Sequence, residues 1–243
     1  MLDDYILKVK VTGDFACFTR PDLKVERMTY PCMTPSAARG ILDSIFWKPE
    51  FKWYIRNIKV LNPVKFYSVK RNEINSKQSK IPIIIEEKRA QRNSIILKDV
   101  AYIIEASIFM DEVSERNNFK KYIEIFERRV KKGQCWRRPF FGTREFAVEF
   151  SPADGYEKIL QETIPIGSML FDIFYNEEGK PEPLFFYDVA VKNGILNCEI
   201  LENDKMMTSS HICRKIDKEI SAAIYNFNQK EIDGEVLNDQ RIK

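Results

Sequence analysis

Tyr5-Ile6-Leu7-Lys8-Val9-Lys10-Val11 puts Tyr5, Leu7, Val9 and Val11 on one side of an extended chain and Lys8 and Lys10 on the other. Strict alternation of this kind marks a strand with one buried and one wet face, because successive side chains of an extended chain point in opposite directions. The period then changes. Thr34-Pro35 supplies a hydroxyl N-cap and a proline at the first helical position, and Ala38, Ile41, Leu42 and Ile45 recur at helical spacing until Pro49. That is an amphipathic helix of about three turns.

Further along, Trp53 to Val69 is rich in β-branched and aromatic residues and is interrupted by Pro63, so it reads as one long strand with a bulge or edge. Val100 to Met110 is a second strong strand. Between them, residues 70–98 are polar and basic around the short apolar run Ile81–Ile85, the pattern of an extended basic arm or hairpin. Phe119, Ile123, Phe126 and Val130 fall at spacings of four, three and four and predict a helix ending before Gly133. Thr143 to Phe150 reads as a closing strand. The order β-α-β-β-α-β predicts an α+β, ferredoxin-like (RRM-like) domain over residues 1–155, with residues 70–98 as its basic arm. Beyond Asp154-Gly155, short strands at Gly167–Tyr175, Leu184–Lys192 and Ile195–Leu201, separated by Glu177-Glu178-Gly179 and Asn193-Gly194, predict a small C-terminal antiparallel β domain over 156–205. Residues 206–243 form a polar tail with a candidate helix at His211–Phe227.

Among the 243 residues, 44% are hydrophobic and 31% charged, which is globular usage and excludes disordered and fibrous classes. No apolar run approaches the roughly 20 residues that span a bilayer, and the N-terminus lacks the pattern of a signal peptide, so a cytoplasmic location away from membranes is expected. The five cysteines form no CxxC pair, and His211 is the single histidine. Buried thiols are expected rather than bridges, with no metal and no cofactor. Charge is uneven: residues 151–243 hold 10 Lys or Arg against 17 Asp or Glu, leaving 29 against 19 in residues 1–150. A basic domain joined to an acidic one points the former at a polyanion.

Two clusters carry the positive charge. The arm holds Lys65, Lys70, Arg71, Lys77, Lys80, Lys88, Arg89, Arg92 and Lys98 against three glutamates. The second helix and the loop after it hold Lys120, Lys121, Arg128, Arg129, Lys131, Lys132, Arg137 and Arg138 against two. Interleaved Tyr67, Tyr122, Trp136, Phe140 and Phe141 add stacking surfaces to phosphate contacts, although Phe140 and Phe141 read more readily as core. The sequence lacks a Gly-rich phosphate loop, HExxH and GxSxG, which removes nucleotide hydrolysis and serine chemistry. One histidine cannot make a His-His acid/base pair. If RNA is cut here, lysine and tyrosine must help the 2′-hydroxyl lose its proton, stabilise the phosphorane and protonate the leaving 5′-oxygen.

Three blocks resemble the CRISPR-associated RAMP-superfamily endoribonucleases of the type I-C (Dvulg) subtype: Ala16–Pro49 (ACFTRPDLKVERMTYPCMTPSAARGILDSIFWKP), Lys70–Lys77 (KRNEINSK) and Lys132–Phe146 (KGQCWRRPFFGTREF). The resemblance implies a ferredoxin-like domain. It also implies metal-independent cutting of the CRISPR repeat near its hairpin base, leaving a 2′,3′-cyclic phosphate, and retention of the crRNA 5′ handle inside Cascade beside the backbone and large subunits. The family's catalytic tyrosine falls on Phe46, which has no hydroxyl. Its Lys-His pair falls on Lys121 and Tyr122, with Lys120 the neighbouring alternative. Lys121 and Tyr122 are therefore the expected catalytic pair. Arg20, Lys24, Phe46, Lys48, Lys70, Arg71, Lys120, Arg137, Arg138 and Arg144 are the expected RNA contacts, Arg144 having an ion pair with Glu145 as its equal alternative. The departures leave two readings open, an endoribonuclease or a non-catalytic holder of the crRNA 5′ handle. A Cascade assembly subunit that only docks protein, and a binder of duplex DNA, stand as alternatives from other classes.

Overall fold

The computed structural model describes residues 5–23, 25–77, 79–110, 119–175 and 181–199. Strand β1 (Leu7–Ala16) leads to helix α1 (Pro35–Ile45), capped by Thr34, whose side chain accepts from the Ala37 N–H. Strands β2 (Phe51–Val60) and β3 (Phe66–Ile74) follow. A single turn of helix, α2 (Ile85–Lys88), then precedes the 22-residue strand β4 (Arg89–Met110). Helix α3 (Phe119–Lys132) ends at Gly133, whose φ of 62° is the left-handed conformation that closes many helices. After β5 (Glu149–Pro152) come β6 (Ile164–Tyr175), β7 (Pro181–Val191) and β8 (Ile195–Asn197).

The main sheet runs β5-β1-β4-β2-β8, with every neighbouring pair antiparallel. With arm strand β3 set aside, β1, β2, β4 and β5 stand in the order 4-1-3-2 of a ferredoxin-like sheet, as the β-α-β-β-α-β reading expected. One face of this sheet meets both helices: Leu7, Val9 and Val11 from β1 and Tyr102, Ile104, Ala106 and Ile108 from β4 join Ile41, Leu42 and Ile45 of α1 and Ile123, Phe126 and Val130 of α3. In β2 a bulge between Ile55 and Asn57 inserts one residue. That shift returns Ile58 and Val60 to the core face already used by Trp53 and Ile55.

The stretch Trp53–Val69, expected to be one interrupted strand, is two strands that share a partner. β2 pairs with Tyr102–Met110 and β3 with Arg89–Leu97, so β4 serves the sheet with one half and the arm with the other. Asp99 marks the change of direction at φ 55°, its carbonyl accepting from Asn62 and its carboxylate facing Lys65. The basic arm is thus a β3–β4 hairpin that leaves the sheet. The closing strand expected over Thr143–Phe150 is also shorter. Residues 139–148 form a loop instead, because Gly142 turns at φ 78° against β1 and Cys17 N–H donates to Phe141 O, leaving only Glu149–Pro152 to pair.

Beyond residue 155, β6 and β7 form their own two-stranded sheet. Asn193 and Gly194, at φ 50° and 73°, make the two-residue turn expected of them, and Lys192 and Ile195 exchange backbone hydrogen bonds across it. The strand after that turn, β8, pairs with β2, while Met169, Val189, Val191, Leu196 and Cys198 enter the same core cluster as the first domain. The Glu177-Glu178-Gly179 turn, the tail 206–243 and its His211–Phe227 helix lie outside the described residues. No helix among the described residues is long and apolar enough to cross a membrane.

The sheet face away from the helices is closed by charge. Glu105, only 5% exposed in the sheet half of β4, meets Lys59 at 2.6 Å, Lys8 at 3.2 Å and the Asn57 amide at 3.2 Å. Arg56 donates to Ser107 and Glu199 and lies over the Tyr54 and Phe109 rings. Sheet-face RNA readers of the RRM kind need bare aromatics on that surface. Here Phe109 is buried and the face is occupied by an ion network, so it does not present such a surface.

Candidate nucleic-acid interface

The end of α1 is where α3 and the loop after it meet the first helix. Helix carbonyls in a last turn lack partners within the helix. In α1 they are taken up from outside: Arg129 Nη1 of α3 donates to Ile45 O at 2.7 Å, and the backbone N–H groups of Trp136 and Arg137 both donate to Ser44 O, at 2.9 and 3.2 Å. A cation and two amides at the negative end of the helix are electrostatically favourable as well as satisfying. The loop after α3 is thereby fastened to α1, and Arg137 and Arg138 stand exposed on it.

Phe46, the residue after the helix, is 2% exposed. Its ring packs against Phe51 at 5.5 Å and Tyr122 at 6.0 Å, with the Arg129 guanidinium 5.1 Å above it, while Trp53 Nε1 donates to its carbonyl. Phe46 is therefore a packing residue and does not present a face to RNA, a correction to the expected contact. Tyr122 sits on the inward side of α3, 5% exposed, with Phe51 5.4 Å away. Lys120 and Lys121 precede it on the outward side and are exposed. The structure thus brings positions 46 and 122, far apart in the chain, into ring contact, while Lys121 is exposed one residue before Tyr122.

The remaining expected contacts divide by whether their charge is already used. Lys48, Lys70 and Arg144 are exposed, and none of them enters the ion pairs found among the described residues. Arg71 reaches across from the arm to Glu145, forming an ion pair that ties β3 to the loop at 139–148. This pair takes the place of the alternative Arg144–Glu145 pair. Burial works to raise the Glu145 carboxyl, yet its own backbone N–H, the Arg71 charge and the Thr143 hydroxyl hold it below the usual value. Arg20 is held by Asp22 through two hydrogen bonds, at 2.8 and 3.2 Å, which raises its already high pKa. Lys24 lies outside the described residues. Arg71 and Arg20 are thus already paired in the free protein, whereas Lys48, Lys70, Lys120, Lys121, Arg137, Arg138 and Arg144 are exposed and enter none of the ion pairs found among the described residues.

Two features escape the sequence reading. Trp47 is 57% exposed directly after buried Phe46. Beside α1, a groove of about 310 Å³ is lined by Ser36, Gly40 and Ser44 on the helix side and by Thr19, Arg137 and Phe140 on the loop side. Small side chains at four-residue spacing let a ligand approach the helix backbone, and Arg137 stands at the groove wall. The signal for Trp47 was present as an aromatic followed at once by a cation and a proline.

Residues 6–210 match a family model described as CRISPR-associated protein (Cas_Cas5), the Cas5d group. The CRISPR pre-crRNA endoribonuclease Cas5d of Thermus thermophilus is 47% identical, over 74% of this chain and 78% of its own length. The enzyme of the same name from Mannheimia succiniciproducens is 38% identical, over 79% of this chain and 93% of its own. Among solved structures, a functionally uncharacterized protein from Streptococcus mutans superposes with a TM-score of 0.60 at 25% identity, covering 80% of this chain and 92% of that one. A CRISPR-associated protein superposes equally well, at 0.60 and 23% identity over 83% and 95%, a likeness of fold.

Proposed function

Because this chain belongs to the Cas5 family of CRISPR-associated proteins, we propose that it is a pre-crRNA endoribonuclease that cuts the CRISPR repeat near its hairpin base and keeps the crRNA 5′ handle as a Cascade subunit. The observation that carries this reading is the seam between α1 and α3. Positions 46 and 122, two of those that the family resemblance assigns to cutting, are in ring contact there, beside a loop that exposes Arg137 and Arg138. In the reaction the 2′-hydroxyl oxygen attacks the adjacent phosphorus, the bond to the 5′-oxygen breaks, and the products are a 2′,3′-cyclic phosphate and a 5′-hydroxyl. One proton leaves the 2′-oxygen and one arrives at the 5′-oxygen, so no water or metal enters the balance. Lys121 stabilises the phosphorane charge, with Arg137 and Arg138 holding the flanking phosphates. Tyr122 is the proton-transfer group of this proposal, its phenol taking the place of the family's imidazole. Cutting in EDTA that yields a cyclic phosphate, and that stops when the nucleotide before the cut is 2′-deoxy, is the expected result; a metal requirement or indifference to the 2′-deoxy group contradicts it.

A second reading is favoured by Phe46, which has no hydroxyl, and by the burial of Tyr122. In this reading the chain holds the crRNA 5′ handle without cutting it. Tyr122→Phe separates the two: a fall in cleavage of about 10²-fold with unchanged RNA affinity supports the phenol as acid/base. Competition at fixed salt between repeat RNA and duplex DNA decides whether duplex DNA is a partner, the expected outcome being displacement by RNA first.

A further inference from the structure

We propose that Trp47 and Trp136 form a stacking platform for the unpaired bases that flank the repeat hairpin. The proposal rests on the reading that this chain binds repeat RNA, and it names the part of that RNA the tryptophans recognise. The chain has three tryptophans. Trp53 is used as core, its ring 4.7 Å from Phe126 and its N–H bonded to Phe46 O. Trp47 and Trp136 are instead 57% and 77% exposed, and an indole left in water forfeits the burial that stabilises it elsewhere.

Both are anchored at one point of the fold. The Trp136 backbone donates to Ser44 O, and Trp47 is the third residue after Ser44. With about 3.8 Å between consecutive Cα atoms, the two Trp Cα atoms stand no more than roughly 16 Å apart. The loop bearing Trp136 is held by two bonds to Ser44 and by Gly133 and Gln134 closing α3, so the ring projects from a fixed support. Segments 44–49 and 130–144 contain Lys48, Lys131, Lys132, Arg137, Arg138 and Arg144 and not one Asp or Glu. Exposed indoles on segments whose charged residues are all cations match single-stranded RNA, whose phosphates meet the cations and whose unstacked bases meet the rings. Bases inside the hairpin stem are already stacked on each other and offer no face. The platform therefore reads whether a base is unpaired, not which base it is.

The test compares two RNAs, the repeat hairpin with its natural single-stranded flanks and the same hairpin trimmed blunt, against the full-length protein and Trp47→Ala, Trp136→Ala and Trp136→Phe. Wild type is expected to bind the flanked RNA more tightly than the trimmed one. Each alanine variant is expected to lose about 5- to 100-fold on the flanked RNA and under about 2-fold on the trimmed one. Trp136→Phe is expected to recover most of the loss. Flanked RNA alone is expected to quench tryptophan emission, and Trp47→Phe with Trp136→Phe is expected to abolish that quenching while unquenched Trp53 remains. Alanine variants that bind both RNAs like wild type, or that weaken both equally, overturn the platform and leave RNA binding standing. Wild type that binds neither RNA overturns the underlying reading together with the platform. Unchanged thermal melts of these surface variants show that a loss is not unfolding.

Discussion

Gly142 is a position where the fold has no room for a side chain. Its φ is 78°, and a Cβ built there would stand 2.0 Å from the Cys17 carbonyl oxygen, a backbone atom that cannot swing aside. Gly142→Ala is expected to lower unfolding free energy by about 2–4 kcal/mol in urea titration, since it forces the loop that carries Glu145 away from β1. Glu105 offers a residue-level test by pH. Burial works to raise its carboxyl, but Lys59, Asn57 and Lys8 outweigh burial and hold the folded value below that of the unfolded chain, about 4.3. A depressed carboxyl contributes stability that is fully present above the unfolded value and is lost as pH falls from there through the folded value. Melting temperature is therefore expected to drop on acidification below about pH 4.3, and Glu105→Gln is expected to flatten that dependence while lowering stability near pH 7. Both residues were opaque in the sequence, because a glycine's forbidden volume and a carboxylate's cationic neighbours come from strands far away in the chain. Phe46 was opaque for the same reason: aromatic partners Phe51 and Tyr122, not helical periodicity, decide its burial.

At the scale of elements, the helices were legible because their signals are local. Thr34 caps α1 where Thr-Pro predicted it, and Thr34→Ala is expected to cost about 1 kcal/mol by removing the oxygen that the Ala37 N–H bonds. Buried positions Phe119, Ile123, Phe126 and Val130 follow the spacing read from α3. Strands were legible as strands but not as partners. β2 and β3 read as one because Pro63 between them signals an interruption without saying that each half pairs with a different stretch of β4. The arm also separates two kinds of basic residue. Lys70 is exposed and enters none of the ion pairs found among the described residues, so Lys70→Gln is expected to reduce the salt dependence of RNA binding by one phosphate contact, a slope change of about 0.7 to 0.9 in log affinity against log salt. Arg71 is paired with Glu145, so Arg71→Gln is expected to lower stability as well.

For the whole molecule, charge asymmetry and element order pointed to a basic ferredoxin-like domain, and the element order is visible in the fold. What composition concealed is where that charge is free. On the open sheet face Lys8, Lys59 and Arg56 are committed to Glu105 and Glu199, whereas Lys120 and Lys121 of α3 and Arg137 and Arg138 of the loop after it are exposed and enter none of the ion pairs found among the described residues. If this seam performs the cut, Lys121→Ala is the decisive variant, assayed for both binding and cleavage of the cognate repeat RNA in EDTA. Cleavage is expected to fall by about 10²-fold or more while affinity stays within a few-fold of wild type. Undiminished cleavage by Lys121→Ala, or repeat RNA that wild type binds tightly and leaves whole, would refute the assignment of cutting to the seam.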